Sequence, residues 1–139
     1  MKVLLINPPR YLNKIPVIRE DRCEVTDRYA IIPPYSLISI ASILRDSGHE
    51  VSLIDANGVG MSYDGIIEEI DFENFDVMIF RFTPTTFDWD TKVAQIAKTE
   101  NSLITTVGIC LTLHTLGKDV LTRANGMDYY IPLDWESVT

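Results

Sequence analysis

Cysteine is scarce in this chain. Its 139 residues include only Cys23 and Cys110, which form neither a CxxC pair nor a cluster with histidine. The sequence therefore suggests neither a structural zinc site nor a disulfide framework. Two separate thiols are typical of proteins from a reducing compartment, so we expect a cytoplasmic protein.

Basic residues and long apolar runs are also few. Twelve lysines and arginines face 20 aspartates and glutamates, which gives a net charge of −8. Nucleic acids and anionic membrane surfaces both require a basic patch, so we expect neither as a partner. The first apolar run, residues 3–6, ends at Asn7 and is too short for a signal peptide or a membrane span.

The glycine-rich turns of common nucleotide sites are missing as well. A dinucleotide fold needs GxGxxG after its first strand, and a flavodoxin-type site needs a phosphate loop there. Here Asn7 is followed by Pro8 and Pro9, which have no amide hydrogens to offer. A phosphoryl-accepting receiver domain needs an aspartate at the end of its third strand, where this chain has Arg81 and Phe82.

What the chain does have is a regular alternation of two patterns. Apolar runs predict strands over residues 3–6, 51–54, 77–82, 103–107 and 128–131. Helical spacing predicts helices that begin near Pro34 and end at Gly48, over residues 63–70 and 89–98, and over 113–124 with Gly126 at the end. Alternation of this kind favours right-handed βαβ units. We therefore expect one α/β domain over residues 1–139, with a Rossmann-like, flavodoxin-like doubly wound sheet of five parallel strands in three layers.

One segment does not follow the alternation. Residues 10–33 have mixed charge and no periodicity. Loops of this length within a compact domain are usually functional or disordered. We expect this segment to lie above the carboxyl edge of the sheet.

Ligands of doubly wound sheets bind at the carboxyl ends of the strands, where three loops are expected to converge. Threonine hydroxyls there can bond a ligand, or they can simply satisfy backbone amides in a strand-to-helix turn. A glycine after the fourth strand lets the backbone approach a bound group. The candidate binding residues are Asn7, Pro8, Pro9, Thr83, Thr85, Thr86, Gly108, Ile109, Cys110 and Thr112.

The order of these motifs resembles a known family. KVLLINPP is followed by PPYSLISIASILRDSGHEVSLIDA, then by the threonine loop and TVGICLTLHT. This pattern resembles the N-terminal cobalamin-binding domain of cobalamin-dependent radical-SAM enzymes, which are methyltransferases or ring-forming and rearranging catalysts. The resemblance implies cobalamin held across the carboxyl edge of the sheet. It also implies an iron–sulfur cluster and S-adenosylmethionine in a downstream radical-SAM barrel, so we expect this chain alone not to be catalytic.

Two departures from corrinoid modules matter. The DxHxxG motif, whose histidine binds cobalt from below, is replaced by Asn7-Pro8-Pro9-Arg10-Tyr11, so no metal ligand is expected there. Ile109 stands where a second glycine is usual, and its branched side chain is expected to crowd the nucleotide tail. Two hypotheses follow: a cobalamin-binding domain of a longer radical-SAM protein, or a cofactor-free regulatory or interaction module with the same fold.

Overall fold

A parallel sheet forms the centre of the protein. The structure, a computed structural model, describes residues 1–20, 24–25, 31–110 and 118–132. In chain order its elements are β1 (Lys2–Asn7), β2 (Val17–Ile18), β3 (Glu24–Val25), α1 (Tyr35–Asp46), β4 (Glu50–Asp55), α2 (Ala56–Val59), α3 (Tyr63–Glu69), a 3₁₀ turn (Phe72–Asn74), β5 (Val77–Arg81), α4 (Phe87–Asp90), α5 (Lys92–Glu100), β6 (Thr105–Ile109), α6 (Lys118–Arg123) and β7 (Tyr129–Ile131).

The sheet has the predicted doubly wound topology. Its five strands lie in the order β4-β1-β5-β6-β7, and every neighbouring pair is parallel. This is the flavodoxin-like order, in which the chain first builds one side of the sheet and then the other. The direction changes between β1 and β5, which makes their carboxyl ends the topological switch point.

Two apolar cores, one on each face of the sheet, explain why the central strand β1 contains an unbroken apolar run. Leu4 and Ile6 of β1 contribute to the core that is covered by α3, α5 and α6. Val3 and Leu5 contribute to the opposite core, under α1. All four side chains are at most 1% exposed. A strand buried on both faces needs apolar residues at every position, and the resulting architecture has the predicted three layers.

Several predicted boundaries are shifted. The fourth sheet strand begins at Thr105 instead of residue 103, because Leu103 lies in a turn, where its N–H donates to Asn101 Oδ1 (3.0 Å) and its side chain is 89% exposed. The helix predicted over residues 89–98 is divided into α4 and α5 at Thr91, whose hydroxyl donates to the Phe87 carbonyl (2.9 Å). Periodicity alone does not detect such a local hydrogen bond.

The predicted helix ends are confirmed at two glycines. Gly48 follows α1 with φ +88°, and Gly126 follows α6 with φ +83°. Both values lie in the left-handed region that a glycine tolerates. Pro34 directly precedes α1 instead of lying within its first turn. In the helix predicted over residues 113–124, Val120 and Ala124 are buried as expected, and residues 113–117 lie outside the described residues.

The segment 10–33 has local structure that its sequence did not indicate. Tyr11 and Ile15 form a short bridge, and β2 pairs with β3 in an antiparallel arrangement. We call residues 11–20 the strap. The strap lies at the carboxyl end of β1, as expected, and its contacts determine the character of the candidate site.

Candidate functional site

The candidate site lies at the switch point of the sheet. The diproline loop, Pro8 and Pro9, follows β1, and the threonine loop, residues 82–86, follows β5. Since β1 and β5 are neighbours, the two loops project from the same edge. Doubly wound folds bind ligands in the crevice between such loops. The structure therefore brings together two of the three loops nominated from the sequence at the expected place.

The diproline loop presents hydrogen-bond acceptors and no amide donors. Arg19 of the strap supplies the donors. Its Nη1 donates to the Pro8 carbonyl (2.9 Å) and to Asn7 Oδ1 (3.2 Å), and its Nη2 donates to the Pro9 carbonyl (2.8 Å). A guanidinium has donors only, in a fixed fork, so it complements a loop of carbonyl oxygens. An arginine of the same chain thus satisfies the acceptors that the Asn-Pro-Pro sequence presents after β1.

Asp90 compensates the charge of Arg19 in the interior. Arg19 Nη2 lies 2.7 Å from Asp90 Oδ1, and the two side chains are 1% and 0% exposed. The other carboxylate oxygen of Asp90 accepts from Thr83 N (3.1 Å) and Thr86 Oγ1 (2.7 Å). Removing one partner of such a buried pair costs about 3–5 kcal/mol, because it leaves an uncompensated charge. The pair therefore holds the strap against the threonine loop.

The threonine hydroxyls are used mainly within their own loop. Thr83 Oγ1 and Thr86 Oγ1 lie 3.0 Å apart, and Thr86 N donates to Thr83 Oγ1 (3.2 Å). Both residues are buried, at 0% and 3% exposure. These bonds favour the alternative in which the threonines shape a strand-to-helix turn. Thr85, the third candidate in this loop, is exposed at its outer rim.

A second buried arginine holds the backbone of the strap. Arg81, the last residue of β5, is fully buried. Its Nε donates to the Arg19 carbonyl (2.8 Å), and its Nη2 donates to the carbonyls of Arg19 and Glu20, the latter at 3.3 Å. The sequence shows Arg81 at the end of an otherwise apolar strand. This position argues against a receiver domain, but it does not predict the contacts of Arg81 with the strap.

The strap has two further anchors. Val17 N donates to Asn57 Oδ1 (2.8 Å), and Ser36 donates to Glu20 Oε1 through its hydroxyl (2.8 Å). Ser36 lies in the first turn of α1, where Pro34 provides no side-chain cap. The Glu20 carboxylate therefore lies near the unpaired amides of the helix N-terminus, which favour a negative charge. Two buried donors, Arg19 Nε and Asn57 Nδ2, have no acceptor among the described residues, which offsets part of this stabilisation.

The end of β6 is packed into the interior. A Cβ on Gly108 would lie 2.8 Å from Met127 Sδ and 2.9 Å from Phe82 Cε1, so these side chains fill the space the glycine leaves. Ile109 is fully buried in the core under α1, and Cys110 is fully buried in the core on the opposite face. Packing thus accounts for the glycine, and the Ile109 side chain lies in the core. Thr112 lies outside the described residues.

An open cleft lies beside the closed crevice. Its volume is about 290 Å³. Tyr11 and Trp89 form an edge-to-face pair with centroids 6.0 Å apart, and Trp89 Nε1 donates weakly to the Pro9 carbonyl (3.4 Å). The lining residues are Tyr11, Pro84, Thr85, Thr86, Phe87, Asp88, Trp89 and Arg123.

The Tyr63 hydroxyl is an ionisable group that is buried beside the site. Burial, and after it the negative charge of Asp90, raise the pKa of Tyr63 well above its ordinary value of 10.0. The Tyr63 hydroxyl therefore stays protonated at neutral pH and donates to the Trp89 carbonyl. Within the described residues, no group of three or more histidine, cysteine, aspartate or glutamate side chains could hold a metal ion. None of the helices in the described ranges is long and apolar enough to cross a bilayer.

The buried charges of the site were missed by the sequence reasoning. Arg19 and Asp90 come from segments 71 residues apart, and neither belongs to a recognisable motif. Five of the ten nominated residues lie around this pair: Asn7, Pro8, Pro9, Thr83 and Thr86. Three more, Gly108, Ile109 and Cys110, are buried at the end of β6. Thr85 borders the open cleft. The nominated loops are therefore largely covered by the chain itself.

Comparison with known proteins assigns no family to the chain. No protein-family model matches the sequence, and no curated protein matches it.

Proposed function

We propose that this chain is a corrinoid-binding domain that acts with a separate radical-SAM barrel. The proposal is supported by the resemblance of its ordered motifs and by the flavodoxin-like sheet order with loops at the switch point. The observation that carries it is the open cleft at the carboxyl edge, which combines the Tyr11 and Trp89 rings with the polar side chains of Asp88 and Arg123.

The fit to a corrinoid differs between the two parts of this edge. Over β1 and β5 the nominated residues Asn7, Pro8 and Thr83 are buried under the strap and do not fit a large ligand as they stand. The cleft offers polar groups that suit the primary amides at the edge of a corrinoid, but its volume of about 290 Å³ can hold only a small part of such a ligand. Such a periphery needs hydrogen-bond donors, acceptors and aromatic surface together.

The chain has too few cysteines for the cluster motif of radical-SAM enzymes. A CxxxCxxC cluster motif needs three cysteines, and this chain has two, Cys23 and Cys110. In this proposal the iron–sulfur cluster and S-adenosylmethionine are bound by the separate radical-SAM barrel. The corrinoid, when bound, supplies alkyl-transfer or radical chemistry, and the role of this chain is to bind and orient it.

A cofactor-free regulatory or interaction module is the second candidate function. The closure of the crevice favours it, because Arg19 takes the position above the diproline loop that a ligand of the switch point occupies in related folds. A fold that has lost its ligand can keep the sheet and fill the crevice with its own side chains.

Visible spectroscopy separates the two candidates. The domain is incubated with hydroxocobalamin, passed through a gel-filtration column and scanned. Corrin bands that co-elute with the protein in equimolar amount support the corrinoid-binding domain. A colourless protein peak at millimolar cobalamin would overturn that proposal and leave the cofactor-free module.

A further inference from the structure

Strand β4 forms an unprotected edge of the sheet. In the described part of the chain its only strand neighbour is β1, and the ladder between them runs without a bulge over all six residues of β4. Residues 51–54 include no charge and no proline, although charges, prolines and bulges are the devices that keep edge strands from pairing. The opposite edge differs, because β7 has only three residues and offers little to pair with.

The outward backbone groups of β4 belong to Val51 and Leu53. Glu50 N donates to the Met1 carbonyl (3.0 Å), so the backbone of Glu50 points towards β1. Successive residues of a strand point their N–H and C=O groups to alternate sides. The groups of Val51 and Leu53 therefore point away from the sheet, and within the described residues they have no hydrogen-bond partner. Such an edge is a template for another strand.

The surface beside this edge is apolar on one face. Leu53 pairs with Leu5, which belongs to the core under α1, so Leu53 and Val51 lie on that face. Ile38 and Leu53 are 45% and 39% exposed there. A strand added to β4 covers part of both side chains. The groove between α1 and β4 has a volume of about 330 Å³ and is lined by Ile38, Ala41, Ser42, Arg45, Val51 and Leu53.

We propose that a second copy of this chain pairs antiparallel with β4 and joins the two sheets. A twofold axis perpendicular to the sheet keeps each face on its own side, so opposite residues share a face and their numbers have an even sum. With a sum of 104, Val51 of each copy lies opposite Leu53 of the other, and Ser52 lies opposite itself on the axis. Val51 and Leu53 then exchange both backbone hydrogen bonds in each of two pairs.

Side-chain chemistry favours this register over its neighbours. A sum of 106 sets Val51 against the Asp55 carboxylate, and a sum of 102 sets Leu53 against His49. With a sum of 104, Asp55 lies opposite His49 instead. Arg45 lines the same face of the groove beside Val51, so its positive charge lies near the Asp55 carboxylate of the other copy. Cross-strand contacts between opposite charges are stabilising.

The proposed dimer leaves both candidate sites accessible. Because the two β4 strands run antiparallel, the carboxyl edges of the two sheets lie at opposite ends of the joined sheet. The inference is independent of the proposed function, since no part of it requires a corrinoid.

Analytical ultracentrifugation of single variants tests the edge. We expect the unaltered chain to dimerise at millimolar concentration. Leu53→Lys places a charge at the centre of the shared edge and should weaken self-association at least about tenfold. Leu103→Lys is the matched control, because Leu103 lies in an exposed turn before β6, and it should dimerise like the unaltered chain. Circular dichroism checks that both variants remain folded.

Oxidative cross-linking tests the register and does not depend on the lysine variants. Two copies of residue 52 face each other with Cα atoms about 4.5 Å apart, which a disulfide can span, so Ser52→Cys should form a covalent dimer. Glu50→Cys is the control, because it is exposed on the same face and its two copies lie about 13 Å apart along the strands. The unaltered protein gives the background from its own thiols.

The result expected is a dimer that Leu53→Lys disrupts, Leu103→Lys preserves and Ser52→Cys traps. A chain that stays monomeric at millimolar concentration and gives no cross-link at residue 52 would overturn the inference. A dimer that Leu53→Lys leaves intact, or cross-linking as efficient at residue 50 as at residue 52, would also overturn it, because the contact then lies elsewhere or in another register.

Discussion

Arg19 and Asp90 form an ion pair of 2.7 Å in which neither side chain is more than 1% exposed. The pair joins the strap to the loop after β5, and the same guanidinium donates to the Pro8 and Pro9 carbonyls. The diproline loop offers only acceptors, the Arg19 side chain offers only donors, and the buried Asp90 carboxylate balances the charge of Arg19. The crevice at the switch point is closed from within the chain.

Replacing Arg19 should destabilise the domain strongly. Arg19→Met leaves Asp90 buried without its cation and removes the donors from the diproline loop, so we expect the free energy of unfolding to fall by about 3–5 kcal/mol. Urea denaturation measures the change. Arg123→Met removes an exposed cation and serves as the control, with an expected loss of at most about 1 kcal/mol.

The double variant Arg19→Met/Asp90→Asn sharpens that test. It removes both charges while the asparagine can still accept from Thr86, so the double change should cost less than the sum of the two single changes. Equal losses for Arg19→Met and Arg123→Met would contradict the structural importance of the buried pair.

A side chain at position 108 should lower the stability of the fold, because neighbouring side chains already fill the space beside Gly108. A methyl group there would meet Met127 and Phe82 at less than 3 Å, so we expect Gly108→Ala to cost about 1–3 kcal/mol of stability. Adding Met127→Ala makes room and should recover part of the loss. Corrinoid affinity, measured on the same variants under conditions where each remains folded, should not change, and a loss of affinity with unchanged stability would place Gly108 at the ligand.

Asp128 should stabilise the fold in a pH-dependent manner. Burial alone would raise its pKa, but hydrogen bonds from Lys98 and Thr106 outweigh that effect and lower the pKa below its ordinary value of 3.8. Its contribution is therefore present above the unfolded pKa and is lost as the pH falls through the folded pKa. We expect Asp128→Asn to cost at most about 1 kcal/mol at neutral pH, since the pair is partly exposed, and to cost less as the pH falls below about 3.8. A penalty that stays constant down to pH 2 would show that the Lys98 pair contributes nothing.

Tyr63 should make the domain sensitive to alkali. Because its folded pKa is raised above 10.0, its contribution to stability is complete below that pH and is lost as the pH rises towards the folded value. Tyr63→Phe should lower stability by about 0.5–1.5 kcal/mol at neutral pH, through the lost hydrogen bond to the Trp89 carbonyl. Its penalty relative to the unaltered protein should shrink as the pH rises above 10. Denaturation in urea at a series of alkaline pH values measures both effects.

The sheet and its helices were predictable because burial on both faces leaves a clear pattern. Residues 3–6 and 77–80 can be apolar at every position only where both faces are covered, and Leu37, Ile40 and Leu44 of α1 repeat at helical spacing because they face one core. Strand ends were less certain, since Leu103 is apolar and still lies in an exposed turn.

The sequence predicted where the candidate site lies in the sheet but not which hydrogen bonds its residues make. The loops after β1 and β5 must lie at the same edge once the topology is known, so Asn7 and Thr83 were correctly brought near each other. The identity of their hydrogen-bond partners depends on Arg19, which lies in a segment without periodicity. Residue type alone cannot tell whether a threonine hydroxyl will bond a ligand or a neighbouring carboxylate such as Asp90.

Hydrogen exchange of the strap measures whether the crevice is closed. The amide of Val17, which donates to Asn57 Oδ1, and the amides of residues 18–20 should exchange slowly in the free domain and stay slow when hydroxocobalamin is bound. That result means that the crevice is closed by Arg19 and that the ligand lies outside it. Fast exchange of the amides of residues 17–20 in the free domain, or a loss of their protection when cobalamin binds, would contradict a crevice that Arg19 keeps closed.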